Sequence, residues 1–316
     1  MTTARIRKIA VVGAGLMGHG IAQEFALAGY RVALQDAVPE QLERARDAIR
    51  RNLEMLARFG VRLRAKPDTV MRRIRLGTDL AAAVADADLV IEAVFEDLRL
   101  KRRIFRDLDR LCPPHTILAS NTSTFPPAKL AAATQRADKV LVAHYFNPPH
   151  LLPLVEIVPG RRTSAATVTA VHDLLVALGK TPVVVRKPVA GFIGNRLQQA
   201  LLREALSIVR QGIATPQDVD IVIRNGFGRR LAAAGVFEVF EIAGWDLVSA
   251  VTRNLLPHLE SSTEVPALLT DKVRRGELGF KTGKGFYTWT DASAEALRQR
   301  LARTLVEVHR LLDNSR

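Results

Sequence analysis

The sequence predicts an α/β chain whose first part is a doubly wound sheet and whose second part is built from helices alone. Three observations carry this. Residues 6–36 run strand, Gly-rich turn, helix, strand, acidic residue. From there to about residue 185, short β-branched runs alternate with helical stretches, the rhythm of βαβ units. After Lys187-Pro188-Val189-Ala190-Gly191, which reads as a linker, no convincing strand follows. Two domains are therefore expected, residues 1–187 and 188–316.

Ile6 to Val12 is the first strand, and Gly13-Ala14-Gly15-Leu16-Met17-Gly18 follows at once. An Ala- and Leu-rich helix then runs to Ala28, closed by Gly29, and the strand Arg31 to Gln35 ends in Asp36. In this context Gly-x-Gly-x-x-Gly is the fingerprint of a Rossmann-type dinucleotide unit. Gly13 makes the tight turn, Gly15 lets backbone approach a pyrophosphate, and Gly18 lets the helix pack close to the strand. Free N–H groups at the helix start, from Leu16 and Met17 onward, suit that pyrophosphate. Asp36 can accept both hydroxyls of an adenosine ribose and would repel a 2′-phosphate. Ala37-Val38 after it offer no cation, so NAD is favoured over NADP. A Gly-rich turn in another α/β fold is the competing reading, and Asp36 weighs against it.

Pro39 to Phe59 reads as a long helix with Pro39 in its first turn, and Pro67 to Arg73 as a second helical piece. The sheet resumes near Arg75-Leu76, continues with Asp88 to Ala93, and Glu96 to Lys101 opens the next helix. Glu96 and Lys101 lie where such a sheet presents ligand-facing loops; a helix-start charge pattern is the commoner fate of such residues. The strand Thr116 to Ala119 delivers Ser120-Asn121-Thr122-Ser123 into a loop, where they could hold a ligand; capping a helix is the favoured reading. Ser164 to Leu178 is a helix, and Thr181 to Val185 the last strand. Beyond the linker, Phe192 to Gln211, Pro216 to Arg224, Val236 to Leu255 and Pro266 to Arg275 read as helices. Asn195 stands at the start of the first, as a ligand contact or a simple helix-start hydrogen bonder. Gly276 to Tyr287 is a basic loop rich enough in Gly to suggest close backbone approach. A final helix follows Asp291, with Leu297, Leu301, Leu305, Val308 and Leu312 as an apolar stripe expected to dock on the body or on a partner subunit.

The chemistry is expected between two of the strands. Lys139 to Ala143 is a short apolar run, and His144 sits where it ends. Pro148-Pro149 forbids helix, so the chain must turn or stay extended. Leu154-Val155-Glu156-Ile157-Val158 then carries one carboxylate inside a second apolar run, and a Glu in a buried strand needs a partner. His144 across the turn supplies one. Such a pair can serve as a general base with its orienting carboxylate, or as a buried salt bridge with a structural task, and the stretch alone leaves both open.

Composition bounds the remainder. An apolar share of 48% and a charged share of 25% are ordinary for a soluble globular protein. No run of about 18 apolar residues suggests a membrane span, and the first strand starts too early to leave room for a signal peptide. The single Cys112 allows no internal disulfide and no cysteine-built zinc cluster, which fits a reducing cytoplasm; no metal is expected. The formal charge of +14 comes mostly from Arg spread along the chain. Aromatics do not interleave with the Arg pairs, so a solvated basic surface is favoured over a nucleic-acid partner.

Taken together, these residues resemble the 3-hydroxyacyl-CoA dehydrogenase family over nearly the whole chain. The motifs that carry the resemblance are Gly13 to Gly18, Glu96 with Lys101, Ser120 to Ser123, His144-Tyr145-Phe146-Asn147-Pro148, Leu154-Val155-Glu156, Gly191-Phe192-Ile193-x-Asn195-Arg196 and Lys281 to Tyr287. The resemblance implies that His144 takes the proton of a 3-hydroxyl while its carbon gives hydride to NAD, and that Glu156 orients His144. It implies that Ser123 and Asn195 hold the substrate's oxygens, and that Glu96, Lys101, Asn147 and Lys281 lie on the NAD side. It further implies a homodimer formed through the helical domain, and a place in fatty acid metabolism. L-3-hydroxyacyl-CoA of the 3-hydroxybutyryl-CoA type is the default substrate. The run Pro148-Pro149-His150-Leu151-Leu152-Pro153 stands closer to relatives acting on free hydroxy acids such as L-gulonate or carnitine, or on a pyridine carboxylate; Ala57 to Arg62, Ala232-Ala233-Ala234-Gly235 and the helix past the usual family ending are further departures from the family pattern. A CoA-free hydroxy acid or hydroxymethylpyridine carboxylate is thus the alternative substrate. A non-catalytic NAD-binding structural protein is the alternative of another class, which the presence of His144 and Glu156 disfavours. The expected partner is a small-molecule substrate, with neither nucleic acid nor membrane.

Overall fold

The computed structural model describes residues 6–313. The chain divides into two compact units between Arg196 and Leu197. The first contains β1 (Lys8–Val12), α1 (Gly18–Leu27), β2 (Arg31–Gln35), α2 (Pro39–Arg58), α3 (Pro67–Arg73), β3 (Ile74–Gly77), α4 (Leu80–Val84), β4 (Leu89–Glu92), α5 (Leu98–Leu111), β5 (Ile117–Ser120), α6 (Pro127–Ala131), β6 (Val140–Tyr145), β7 (Leu154–Pro159), α7 (Ala165–Ala177) and β8 (Thr181–Val184). Their strands make one sheet in the order β3-β2-β1-β4-β5-β6-β7-β8. Every neighbouring pair is parallel except β6 and β7, which form an antiparallel hairpin.

The strand order reverses between β1 and β4, and in an open α/β sheet the crevice at such a point is where a ligand binds. Both faces of the sheet are covered, so its central strands are apolar at successive positions rather than alternately. Along β1, Ile9 and Val11 face a core shared with α1, α2, α3 and α7, whereas Ala10 and Val12 face one shared with α4, α5 and the end of α6. Each fully buried Ile, Leu or Phe contributes about 1.5–3 kcal/mol over an exposed one. The helices start on side-chain caps where a strand must turn sharply. Asp79 accepts from Ala81 and Ala82, Asp97 from Leu100, and Ser164 from Thr167.

The second unit is helical, as expected: α8 (Gly194–Arg210, whose first turn belongs to the sheet unit), α9 (Pro216–Asn225), α10 (Phe227–Leu231), α11 (Val236–Ala243), α12 (Trp245–Leu255), α13 (Ala267–Arg274) and α14 (Asp291–Asp313). One helix expected over Val236 to Leu255 is two. Gly244 adopts φ +83°, a left-handed conformation that ends α11 and restarts the chain as α12. The short α4, α6 and α10 were not foreseen, because five residues show no helical period. The glycines of the 276–287 loop permit approach to one another: a Cβ on Gly285 would lie 3.0 Å from the Cα of Gly279. On α14 the buried residues are Ala294, Ala302 and Val306, while Leu301 and Leu312 of the expected stripe are 50% and 42% exposed. Leu297, Leu305 and Val308 of the stripe are half-buried. Among the described residues no helix is long and apolar enough to cross a membrane.

Candidate active site

The carboxyl ends of β1 and β4 build the first part of the site. Gly13 holds φ +98°, and a Cβ there would sit 2.7 Å from the carbonyl oxygen of Ala93. A Cβ on Gly18 would fall 1.7 Å from the carbonyl oxygen of Gly13, so α1 can start this close to β1 only with Gly at that position. Gly15 differs: nothing lies within 4 Å of its missing Cβ, which leaves open space beside bare backbone. Met17, the residue before α1, gives no side-chain cap, so the helix start keeps N–H donors for an anion. Asp36 closes the crevice. Its Oδ2 accepts the Ala14 N–H at 2.8 Å and its Oδ1 the Val38 N–H at 3.0 Å. Each oxygen retains a lone pair for a further donor. An open cradle, a helix start without a side-chain cap and a carboxylate just past β2 fit a dinucleotide's pyrophosphate and ribose.

Beside it lies a buried ionic network. Lys101, 1% exposed, holds Nζ 2.7 Å from Glu92 Oε1 and 3.2 Å from Glu96 Oε2. Glu92 is fully buried at the end of β4. Its Oε1 also accepts the Val94 N–H, and its Oε2 the Ser120 hydroxyl. Glu96 Oε1 collects donors from the Thr122 and Thr124 hydroxyls and from the Ser123 and Thr124 N–H groups. Burial would raise the Glu96 carboxyl, but the two hydroxyls and the Lys101 ammonium outweigh it and hold the group below its ordinary value. Glu96 and Lys101 are thus more than a helix-start charge pattern. Glu92 escaped the sequence reading, although a lone carboxylate in the apolar run 89–93 carried the same signal as Glu156.

The residues Ser120 to Ser123 cap no helix; the N-cap of α6 is Pro126. The loop instead spends its side chains on its neighbours. Ser120 donates to Glu92, Asn121 Oδ1 accepts the Tyr145 N–H at 2.8 Å, and Thr122 Oγ1 accepts from the N–H groups of Thr124 and Phe125. The Ser123 carbonyl accepts from the Asn195 amide at 3.4 Å.

The β6–β7 hairpin places His144 directly opposite Glu156 in register. Both are buried, and His144 Nδ1 lies 2.8 Å from Glu156 Oε2. The other oxygen, Oε1, accepts two consecutive backbone N–H groups, from Ile193 and Gly194, each at 2.9 Å. Burial opposes ionisation of Glu156, yet the bonds from His144, Gly194 and Ile193 prevail and hold the carboxyl below its ordinary value. An ionised Glu156 can only accept, so Nδ1 carries a proton, and in the neutral imidazole the lone pair then falls on Nε2. Two rings flank the imidazole: Phe146 with centroids 4.7 Å apart, and Phe192 at 5.5 Å. Sequence reading missed Phe146, Ile193, Gly194 and the aromatic flank, because aromatics leave no polar signal and backbone donors leave none at all.

Behind the hairpin the chain passes Asn147, exposed before a cis bond to Pro148, and turns His150 inward against α1. Burial, with lesser contributions from His19 and Lys180, pushes His150 down to about 3, so it stays neutral. Lys180 anchors this turn, with Nζ 2.6 Å from the Pro149 carbonyl and 2.7 Å from Glu24. The hydrogen bonds thus join Ser123, Asn195, Glu96 and Lys101, and separately His144 with Glu156. Lys281 belongs to the second unit. There it lines a cavity of about 650 Å³ with Phe280, Phe286, Tyr287 and Trp289.

Comparison with known proteins identifies the family. Residues 8–188 match the family model of the 3-hydroxyacyl-CoA dehydrogenase NAD binding domain, and residues 191–289 match that of the 3-hydroxyacyl-CoA dehydrogenase C-terminal domain. The chain is 36% identical over 308 residues to 5-formyl-3-hydroxy-2-methylpyridine 4-carboxylate 5-dehydrogenase of Mesorhizobium japonicum, covering 98% of this chain and 99% of that one. It is 37% identical over 290 residues to a probable 3-hydroxybutyryl-CoA dehydrogenase of Bacillus subtilis, covering 92% of this chain and 99% of that one. A crystal structure of a 5-formyl-3-hydroxy-2-methylpyridine 4-carboxylic acid 5-dehydrogenase, described as an NAD-dependent dismutase, superposes with a TM-score of 0.91 at 35% identity, covering 98% of this chain and 99% of that one. The chain belongs to the 3-hydroxyacyl-CoA dehydrogenase family, with NAD as its cofactor.

Proposed function

We propose that this protein oxidises a hydroxyl group β to a carbonyl to the ketone, with L-3-hydroxyacyl-CoA of the 3-hydroxybutyryl-CoA type as substrate and His144 as general base. The observation that carries the reading is the 2.8 Å bond from His144 Nδ1 to an ionised Glu156, which leaves Nε2 free to take a proton. As the hydroxyl loses its proton to Nε2, imidazolium forms next to the Glu156 carboxylate, which stabilises it. Ser123 and Asn195, joined through the Ser123 carbonyl, orient the substrate's oxygens. Gly13, Gly15, Leu16, Met17 and Gly18 hold the cofactor's pyrophosphate, and Asp36 its ribose. Glu96 and Asn147 complete the NAD side. Lys101 acts there through its ion pair with Glu96, and Lys281 comes from the helical domain. NAD, when bound, supplies the hydride acceptor. The NAD-binding domain spans residues 1–187 and the helical domain 188–316.

A specific observation favours the CoA-free ring carboxylate as second reading. The Mesorhizobium japonicum relative aligns over 98% of this chain, so the match extends into α14, beyond the 191–289 span of the family model. We further propose a homodimer through the helical unit. Helices α9, α11 and α12 bury no residue, and Phe237 and Ile242 are 76% and 85% exposed, apolar side chains that a second subunit would cover. Cys112, buried and free with its thiol pushed up to about 12 by burial, suits a reducing cytoplasm.

The test follows NADH formation with L-3-hydroxybutyryl-CoA, L-gulonate, L-carnitine and hydroxymethylpyridine carboxylates, for wild type and His144→Ala. Turnover of the CoA ester that the variant loses supports the first reading. Turnover of a free acid alone supports the second. No turnover of any of them, with NAD binding intact, refutes both.

A further inference from the structure

We propose that Phe192 is a positioning residue for His144, a buried aromatic wedge whose left-handed backbone both seats the imidazole and aims two N–H groups at Glu156. The proposal rests on His144 and Glu156 acting as base and orienting carboxylate. Phe192 holds φ +51°, the one non-glycine residue with positive φ among the described residues. A bulky side chain rarely adopts that region, since its Cβ crowds the neighbouring carbonyl. Such a conformation persists only where the surroundings over-determine it, and it gathers at sites where geometry matters.

The surroundings here are specific. Phe192 is 1% exposed and packs with Val142, Val158 and Val185, which come from β6, β7 and the residue after β8. Gly191 before it is also left-handed, at φ +74°. Two successive left-handed residues bend the chain so that the next two N–H groups, of Ile193 and Gly194, converge on a single oxygen of Glu156. With Oε1 held at two points, Oε2 has one direction left, toward His144 Nδ1. The Phe192 ring then meets the imidazole edge-on, at 5.5 Å and 62°. Phe146 flanks it at 4.7 Å and is itself pressed against Gly194, where a Cβ would lie 2.4 Å from the ring. The imidazole thus sits between two rings, with its Nδ1 side fixed by hydrogen bond, so Nε2 points one way. An apolar flank also keeps water from competing for Nδ1–H.

Glycine would satisfy the φ requirement without the ring, and leucine would keep bulk without the aromatic edge, so Phe192→Gly and Phe192→Leu separate the two contributions. Each is measured for kcat, for the KM of NAD, and for Tm, alone and in the His144→Ala background. The substrate is whichever compound of the preceding assay is turned over. Hydrogen exchange at the Ile193 and Gly194 amides is followed in the NAD-free protein. Folded variants are expected to lose about tenfold or more in kcat, with the KM of NAD within about twofold of wild type, and Phe192→Gly to exchange those amides about tenfold faster. In the His144→Ala background the Phe192 substitutions are expected to cost little more, because a residue that acts through His144 has nothing left to position. Wild-type kcat and unchanged amide exchange in either variant would overturn the proposal. So would an undiminished loss in the His144→Ala background. A fully active His144→Ala would instead remove the base assignment, and this proposal with it. An inactive His144→Ala beside an unaffected Phe192→Gly would remove this proposal alone.

Discussion

Glu156→Gln isolates the charge of the orienting carboxylate at almost constant shape. Gln can keep its carbonyl oxygen on the Ile193 and Gly194 N–H groups, which now meet Glu156 Oε1 at 2.9 Å each. Its amide nitrogen then faces His144 Nδ1 across the 2.8 Å gap, donor against donor. The imidazole resolves this by moving its proton to Nε2, so that Nδ1 accepts. That tautomer cannot take a proton at Nε2, and general-base catalysis of this kind is worth about 10²–10⁴-fold, or about 2.7–5.4 kcal/mol at 1.36 kcal/mol per decade. The expected result is therefore a kcat lowered by about 10²–10⁴ with the KM of NAD little changed. Stability should fall as well, by less than the about 3–5 kcal/mol of breaking a buried pair, since the two backbone hydrogen bonds survive and the third re-forms with its donor reversed. The pH dependence of that loss has a definite sign. The folded Glu156 carboxyl titrates below its ordinary 4.5, so its ionisation stabilises the fold above about that pH, and the contribution fades as pH falls toward the lowered value. The gap in Tm between wild type and variant should be widest near neutrality and should close below pH 4.5. Steady-state NADH formation and a Tm series in pH check both parts. A Glu156→Gln protein with kcat within about threefold of wild type would refute the tautomer argument.

The second and third glycines of the cofactor turn separate binding from folding. Gly15→Ala fills open space and is expected to leave Tm unchanged while weakening NAD at least about tenfold, whereas Gly18→Ala meets the Gly13 carbonyl and should lower Tm by about 5 °C or more; equal effects would contradict the assignment. His150 titrates near 3 when folded against 6.5 ordinarily, so its contribution to stability is complete above 6.5 and is lost as pH falls below it. His150→Asn should flatten the slope of Tm against pH on the acid side of 6.5, and parallel slopes would show that His150 is not held neutral. Ile242→Glu adds charge at a side chain 85% exposed and is expected to convert a sedimenting dimer to a folded monomer; a wild-type protein that sediments as a monomer would exclude the proposed interface.

What the sequence by itself determined is what local physics controls. The turn from Gly13 to Gly18, the helix after it and Asp36 at the end of β2 are legible because each follows from steric limits within about thirty residues. Pro39 and Pro67 marked the starts of α2 and α3 for the same reason, as the ring presets φ. The His144–Glu156 pair is legible too: a short turn joins two apolar runs, and a carboxylate in such a run must find a partner nearby. Tertiary structure decided the remainder. Lys101 meets Glu92 only because α5 packs against β4, and Ser120 to Thr124 turn to Glu92 and Glu96 instead of capping a helix because β5 lies beside β4. The N–H groups that hold Glu156 come from residues 37 and 38 positions further along the chain and carry no residue signature. Gly244 could have continued a helix by its apolar surroundings, and the buried positions of α14 are Ala294, Ala302 and Val306, which the leucine pattern does not single out. Short-range steric rules act on residues in sequence. Hydrogen bonds and packing across strands depend on register and on which element lies alongside, and these are settled only when the sheet closes.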